Sequence, residues 1–265
     1  MTFKLTIEGN MTEECFDFSV HKGSHAIPAT FWPASLWNAE TPPDQPPPLV
    51  LLQHGGPLHK RHEMVDPLAR SIRDGTGSAV LLIDGPIHGK RRTELLEIME
   101  MLTLFKRYWQ DNAGIDSYVA DWRTALDAVL DQGWADPGRI AWFGLSMGTA
   151  YGIPLCAAEN RIRAAVMGMW GVDWGQQARL LANAQELRVP VLFQIKTEDQ
   201  FFSTRGQRQL FDALGSPNKC LSTYEGSHSM SAPGQLDQLL DFVTRKVSGV
   251  QYGSSSTTPN SEATA

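Results

Sequence analysis

A serine with a glycine two residues away on each side, Gly144-Leu145-Ser146-Met147-Gly148, lies between an apolar β-type run (Ile140 to Phe143) and a helix-forming one (Thr149 to Tyr151). Strand, sharp turn and helix together lift a serine hydroxyl above a sheet edge on a strained backbone, facing the positive end of the new helix. Gly144 and Gly148 remove side chains that would meet the neighbouring strand and helix. A hydroxyl is a poor nucleophile until an imidazole takes its proton. Of seven histidines, one follows Ser146: His228, in the small-residue loop Gly226-Ser227-His228-Ser229. Between the two, Thr197-Glu198-Asp199-Gln200 follows the apolar run Val191 to Lys196 and offers a carboxylate to orient that imidazole. Serine, acid, histidine is a chain order that serves such a turn. Asp199, the shorter side chain, is preferred to its neighbour Glu198, and Asp173 is the third choice. The chemistry is acyl transfer through a serine nucleophile. The competing reading is a glycine-rich turn with an incidental serine and a solvated loop histidine.

Such chemistry also needs donors for a developing oxyanion. One is the backbone N–H of Met147, directly after the serine. The other belongs to His54-Gly55-Gly56-Pro57-Leu58, where Pro57 cannot donate, so Gly56 is preferred and Leu58 comes second. His54 is read as a brace for that loop. Leu58, Tyr108, Trp109, Trp170, Trp174, Phe201 and Phe202 are the candidates for a pocket wall, although core packing explains any one of them equally well. Two basic clusters, His59-Lys60-Arg61-His62 and His88-Gly89-Lys90-Arg91-Arg92, follow adjacent strands. They would favour an anionic substrate if they face it, and are solvated or ion-paired loops otherwise.

The elements that must position these groups follow from periodicity. Phe3-Leu5-Ile7 and Phe16-Phe18-Val20 alternate with polar residues, and with Ala26 to Trp32 they predict an antiparallel meander at a sheet edge. Leu49 to Gln53, Ala79 to Ile83, Ile140 to Phe143, Ala164 to Met169, Val189 to Ile195 and Cys220 to Tyr224 are short, nearly continuous apolar runs. Such runs suit strands covered on both faces. Helix-period segments fall between them: Met64 to Arg73, Ser117 to Gln132 (capped at Asp116-Ser117), Gly148 to Ala158, Trp174 to Glu186, Thr204 to Leu214 and Gln235 to Lys246. The alternation predicts an α/β fold: a mostly parallel sheet of eight strands, an antiparallel N-terminal edge and helices on both faces. Residues 90–114 are too apolar for a solvated linker and read as a small helical cap inserted into a domain spanning residues 1–248. Residues 249–265, rich in Ser and Thr, are expected to be disordered.

Composition limits the function. The chain has 265 residues, a formal net charge of -6 and 42% hydrophobic residues. It can bury a core without disulfides or metals, and its acidity argues against nucleic acid as a partner. Cys15, Cys156 and Cys220 make no C-x-x-C pair, so no metal site is indicated. No apolar stretch reads as a signal peptide or a membrane span, and the expected location is the cytoplasm.

Taken together, Leu51-Leu52-Gln53-His54-Gly55-Gly56, Asp84-Gly85-Pro86-Ile87-His88-Gly89, Gly144-Leu145-Ser146-Met147-Gly148, the Glu198-Asp199 turn and the Gly226-Ser227-His228 loop resemble the α/β-hydrolase superfamily over nearly the whole chain up to residue 248. The nearest likeness is to dienelactone-hydrolase-like and prolyl-oligopeptidase-like esterases. In that family the Asp84 to Gly89 segment corresponds to a structural turn. The resemblance implies a serine hydrolase acting on a small-molecule ester through Ser146, Asp199 and His228, without metal or organic cofactor. The chain departs from dienelactone hydrolases in carrying serine where they carry cysteine, which weakens the case for a lactone substrate. A peptidase of the prolyl-oligopeptidase type, an acyl-CoA thioesterase and a catalytically silent receptor for a small ligand are the alternatives. A homodimer is the one assembly carried as an option.

Overall fold

A computed structural model describes residues 3–8, 11, 14–35, 45–92, 94 and 96–247. The expected disordered tail, 249–265, lies outside the described residues. Strands β1 (Lys4–Glu8), β2 (Phe16–Lys22) and β3 (His25–Trp32) form the antiparallel edge. The remaining strands are parallel to one another: β4 (Leu49–Leu52), β5 (Ala79–Ile83), β6 (Ile140–Phe143), β7 (Ile162–Gly168), β8 (Val191–Lys196) and β9 (Lys219–Tyr224). The sheet runs β1-β2-β3-β5-β4-β6-β7-β8-β9. Among the described residues it therefore has nine strands, one for each of the nine runs that the periodicity marked, and one more than the eight expected of the sheet.

Among the described residues seven α-helices accompany the strands: α1 (Val65–Thr76), α2 (Ile98–Tyr108), α3 (Asn112–Asp131), α4 (Met147–Ala158), α5 (Gln177–Glu186), α6 (Thr204–Ala213) and α7 (Gln235–Val247). Side-chain alternation along β4 shows how they cover the sheet. Leu49 and Leu51 join the core shared with α3, α4, α5 and α6, while Val50 and Leu52 join the core shared with α1 and α7. A strand buried on both faces must be apolar at every position, so these runs do not alternate. Helix α4 is buried from Met147 to Cys156, as befits a helix enclosed on all sides. No helix among the described residues is long and apolar enough to cross a membrane.

Residues 90–114 hold the end of a 3₁₀ turn (Gly89–Arg91), helix α2 and the first turn of α3. The cap of α3 is Asp111, whose side chain accepts from Ala113 N at 3.0 Å, and not Asp116-Ser117 as expected. Asp111 precedes Asp116 in the chain and its side chain takes a free N–H of the first turn, so α3 begins at Asn112 and Asp116 falls inside it.

The chain order in the sheet reverses at β4, with β5 on one side and β6 on the other. A crevice at the carboxyl edge is left at such a reversal, where ligands of open α/β sheets bind. Ser146 follows β6 and Gly56 follows β4, so both border that crevice.

Candidate active site

Ser146 has φ 57° and ψ -119°, one of three non-glycine residues with positive φ among the described ones. That conformation is costly for a residue with a Cβ and persists only where the surroundings impose it. Here they do. Ser146 N donates to Gly168 O at 2.9 Å and Gly144 N to Val166 O at 3.0 Å, which ties the turn to β7. The Thr149 hydroxyl reaches Gly168 O at 2.6 Å and accepts from Gly168 N at 2.7 Å, closing the first turn of α4 onto the same strand end. A side chain at Gly144 would meet the backbone of Gly148 at 2.8 Å, and one at Gly148 would press on Gln53 at 3.3 Å. The glycines are thus required where the turn runs against α4 and β4.

The three residues singled out for acyl transfer are brought together, although each follows a different strand. His228 Nε2 lies 2.8 Å from Ser146 Oγ, and His228 Nδ1 lies 2.7 Å from Asp199 Oδ2. The other Asp199 oxygen accepts from Phe201 N at 2.9 Å and Phe202 N at 3.0 Å. A carboxylate can only accept here, so Nδ1 carries the imidazole proton and Nε2 is left to receive the serine hydroxyl. The Asp199 side chain is fully buried and Glu198 is exposed. Asp173 instead accepts from Ser203 Oγ at 2.7 Å, bracing the start of α6. The acid turn and the histidine loop are stitched together by Glu198 N to Gly226 O at 3.2 Å and His228 N to Gln200 Oε1 at 3.0 Å.

Met147 and Gly56, the two residues expected to supply oxyanion donors, lie next to Ser146 in the chain and in the wall of the cavity beside it, respectively. Met147 is the first residue of α4, where a helix leaves its N–H groups free. Leu58 N, the second choice, is taken by Gly55 O at 3.1 Å. Gly56 also lines the cavity beside Ser146 and His228. The loop is braced as the residue types suggested: His54 Nδ1 donates to Gly55 O at 2.9 Å, and His54 Nε2 accepts from Gly85 N at 2.9 Å.

Neither a protein-family model nor a curated protein matches the chain. Solved structures do. A cold-adapted esterase from an Arctic intertidal metagenomic library, in a complex with PEG, matches 93% of this chain and 100% of its own with 28% identity and a TM-score of 0.76. The chain has the α/β-hydrolase fold. Its fold is shared by an S-formylglutathione hydrolase from Agrobacterium tumefaciens at 18% identity, with coverage of 91% and 99% and a TM-score of 0.65. It is shared as well by acetyl xylan esterase 1 from Thermoanaerobacterium at 14% identity, covering 92% of this chain and 88% of that one, with a TM-score of 0.66.

In this α/β hydrolase the cavity over Ser146 has a volume of about 220 Å³. Trp170, Trp174, Phe201 and Phe202 line it, as the sequence suggested, together with Ile98, Leu102 and Phe105 of α2. Leu58, Tyr108 and Trp109 are not in its wall. Leu58 packs into the core on the α1 and α7 side. Trp109 lies deeper, 5.6 Å from Trp170 and 5.3 Å from Tyr151 between ring centres, and donates to Gly175 O at 3.1 Å. Tyr108 is rotated by one residue from that face and rests on Gly114. A helix presents one stripe to a cavity, and positions 98, 102 and 105 form it. The spacing was visible in the sequence, but not which stripe faced inward.

The basic clusters do not reach the cavity, whose wall has no lysine or arginine. Lys60 is buried against Asp17 at 2.9 Å and Thr30 at 2.9 Å. Lys90 pairs with Glu8 at 2.6 Å, Arg61 with Asp66 at 3.1 Å and Arg91 with Asp121 at 2.6 Å. Lys60, Lys90 and Arg91 are occupied in joining the loops to the antiparallel edge and α3, and Arg61 in joining its loop to α1.

Burial pushes the His54 and His88 imidazoles down to about 3. Above the unfolded-state value of about 6.5 both states are neutral and the shift has no effect on stability. Below it, the unfolded chain takes up protons that the folded chain refuses, so stability falls as the pH drops from about 6.5 toward 3. For the pair, the expected loss between pH 7 and pH 5 is about 4 kcal/mol. Urea unfolding at the two pH values measures it, and equal stabilities would contradict buried neutral imidazoles.

Proposed function

We propose that this hydrolase cleaves carboxylic esters of small, neutral, apolar acyl groups through an acyl-enzyme on Ser146. The observation that carries the reading is the unbroken relay from Asp199 Oδ2 through His228 to Ser146 Oγ, at 2.7 and 2.8 Å. His228 Nε2 takes the hydroxyl proton as Oγ attacks the ester carbonyl. The developing oxyanion is held by the N–H groups of Gly56 and Met147. His228 then returns the proton to the departing alcohol, and the acyl group stays on Ser146. Water repeats the sequence, activated by the same imidazole, and releases the acid. Asp199 holds the ring in the tautomer this requires. The domain is residues 1–248, and the cap is the inserted 90–114 segment, which contributes α2.

Substrate class follows from the wall. Five aromatic and three aliphatic side chains around about 220 Å³ favour a compact acyl group without charge, since a carboxylate there would be desolvated with no lysine or arginine to pair. The small cavity also argues against a bulky peptide as acyl donor. Stopped-flow release of p-nitrophenol from its acetate and butyrate esters tests the proposal. The expected trace has a burst equivalent to the active sites, with a matching mass increase on Ser146. A chain that binds such esters tightly and releases no p-nitrophenol would be a receptor, and the proposal would be wrong.

A further inference from the structure

The loop that carries Gly56 is a weak place to put an oxyanion donor. Glycine has the softest backbone, and Gly55 and Gly56 adjoin each other there. The peptide plane before Gly56 is held through Gly55 O, which accepts from His54 Nδ1 and from Leu58 N. The plane after it, joining Gly56 to Pro57, has no N–H to anchor it, so its carbonyl is the only handle. That carbonyl has one partner, His88 Nε2, at 2.6 Å.

We propose that His88 is a positioning residue for acyl transfer: its single N–H anchors the Gly56–Pro57 peptide while Gly55 O anchors the plane that carries the Gly56 N–H, so that Gly56 is held from both sides with its N–H toward the oxyanion. The inference rests on the role given to Gly56 above. His88 is wholly buried, and its Nδ1 has no hydrogen-bond partner. A carbonyl can only accept, so the ring proton sits on Nε2 and the ring's whole hydrogen-bonding capacity goes to Gly56. Burial keeps the ring neutral, so no second proton is present. An unpaired buried acceptor is a cost that an apolar side chain of the same shape would avoid. Packing alone does not account for it, because the ring's neighbours, His54 at 5.1 Å and Phe105 at 6.1 Å, would accept a phenyl or leucyl group.

The surrounding turn is shaped to deliver that one proton. A side chain at Gly85 would run into the His88 ring, and one at Gly89 (φ 53°) into the Asp84 carboxylate. Asp84 accepts from Lys60 N at 3.1 Å and Lys90 N at 2.8 Å, so the turn is clamped from both adjoining loops. On the far side, Leu102 and Phe105 of α2 close against Gly56, where an added Cβ would meet them at 3.3 and 3.5 Å.

Glutamine and asparagine separate the N–H from the packing. The amide of His88→Gln reaches the place of Nε2, whereas the amide of His88→Asn stops one methylene short. Three quantities are compared with wild type: kcat on p-nitrophenyl acetate, the affinity for a trifluoromethyl ketone, which adds to Ser146 and puts an oxyanion in the hole, and the affinity for an unreactive amide analogue. For His88→Asn and His88→Leu, kcat and ketone affinity are expected to fall together by about 10- to 100-fold, less than or equal to the ~10²–10³ of deleting a donor outright. Amide affinity should hold within about twofold, and His88→Gln should recover most of the loss. If the leucine variant fails to fold, the glutamine–asparagine pair decides alone. Equal activity in those two, or a loss shared by the amide analogue, overturns the inference. A wild-type burst with unaffected His88 variants removes this inference only, whereas a wild type without a burst removes the acyl-transfer reading and this inference with it.

Discussion

Replacing Ser146 by alanine is expected to lower kcat on a p-nitrophenyl ester by about a millionfold and to abolish the burst, with the fold intact. The magnitude is what loss of the nucleophile costs when base, acid and oxyanion donors remain in place but have nothing to act on. The fold should survive because the hydroxyl makes one bond, to His228 Nε2, and the turn is held by other groups. Ser146 N to Gly168 O and the Thr149 hydroxyl bridge to Gly168 are both untouched by the substitution. A small residual rate above the uncatalysed one is expected from the Gly56 and Met147 donors acting on bound ester. The measurement is initial rate and burst amplitude on matched protein, with far-ultraviolet circular dichroism to verify folding. Retention of even a hundredth of the wild-type rate would move the nucleophile elsewhere.

Asp199→Asn is expected to lower kcat by about ten-thousandfold, while Glu198→Gln stays within about threefold of wild type. The geometry gives the reason. One Asp199 oxygen accepts from Phe201 N and Phe202 N, so an amide at this position must turn its carbonyl oxygen toward those two donors. Its NH2 group then faces His228 Nδ1 and requires that nitrogen to be an acceptor. The ring proton moves to Nε2, where it points at Ser146 and cannot receive the hydroxyl proton. The site stays assembled and holds the wrong tautomer. Glu198 is solvent-exposed and donates only its backbone N–H, to Gly226 O. Steady-state kinetics of the two variants side by side would decide, and comparable losses in both would refute the assignment of Asp199 as the orienting acid.

Much of this arrangement is legible in the order and type of the residues. Apolar runs without alternation mark the strands covered on both faces, because a position on a buried strand has no wet side to record. Glycine spacing marks the turn at Ser146, since only glycine fits where a side chain would strike α4 or Gln53. Each reactive side chain lies on the loop after a strand, and parallel strands place all such loops at one edge. Chain order alone therefore puts Gly56, Ser146, Asp199 and His228 at one end of the sheet.

What the sequence left open depended on contacts between distant segments. Glu198 and Asp199 are adjacent and chemically alike, and only the fold buries one and exposes the other. The basic clusters looked available because their partners, Glu8, Asp17 and Asp121, lie far away in the chain on β1, β2 and α3. Helical spacing in α2 gave a stripe but neither its rotation nor its depth: Tyr108 is turned away from the wall that Ile98, Leu102 and Phe105 form, and Trp109, one turn beyond Phe105 on the same side, lies deeper behind Trp170. The Ser146 pentapeptide determined what kind of chemistry the chain can do, because backbone strain and residue type are local. Tertiary structure decided the shape and lining of the cavity beside it, because charge pairing, helix rotation and burial are set by neighbours that the local sequence does not name.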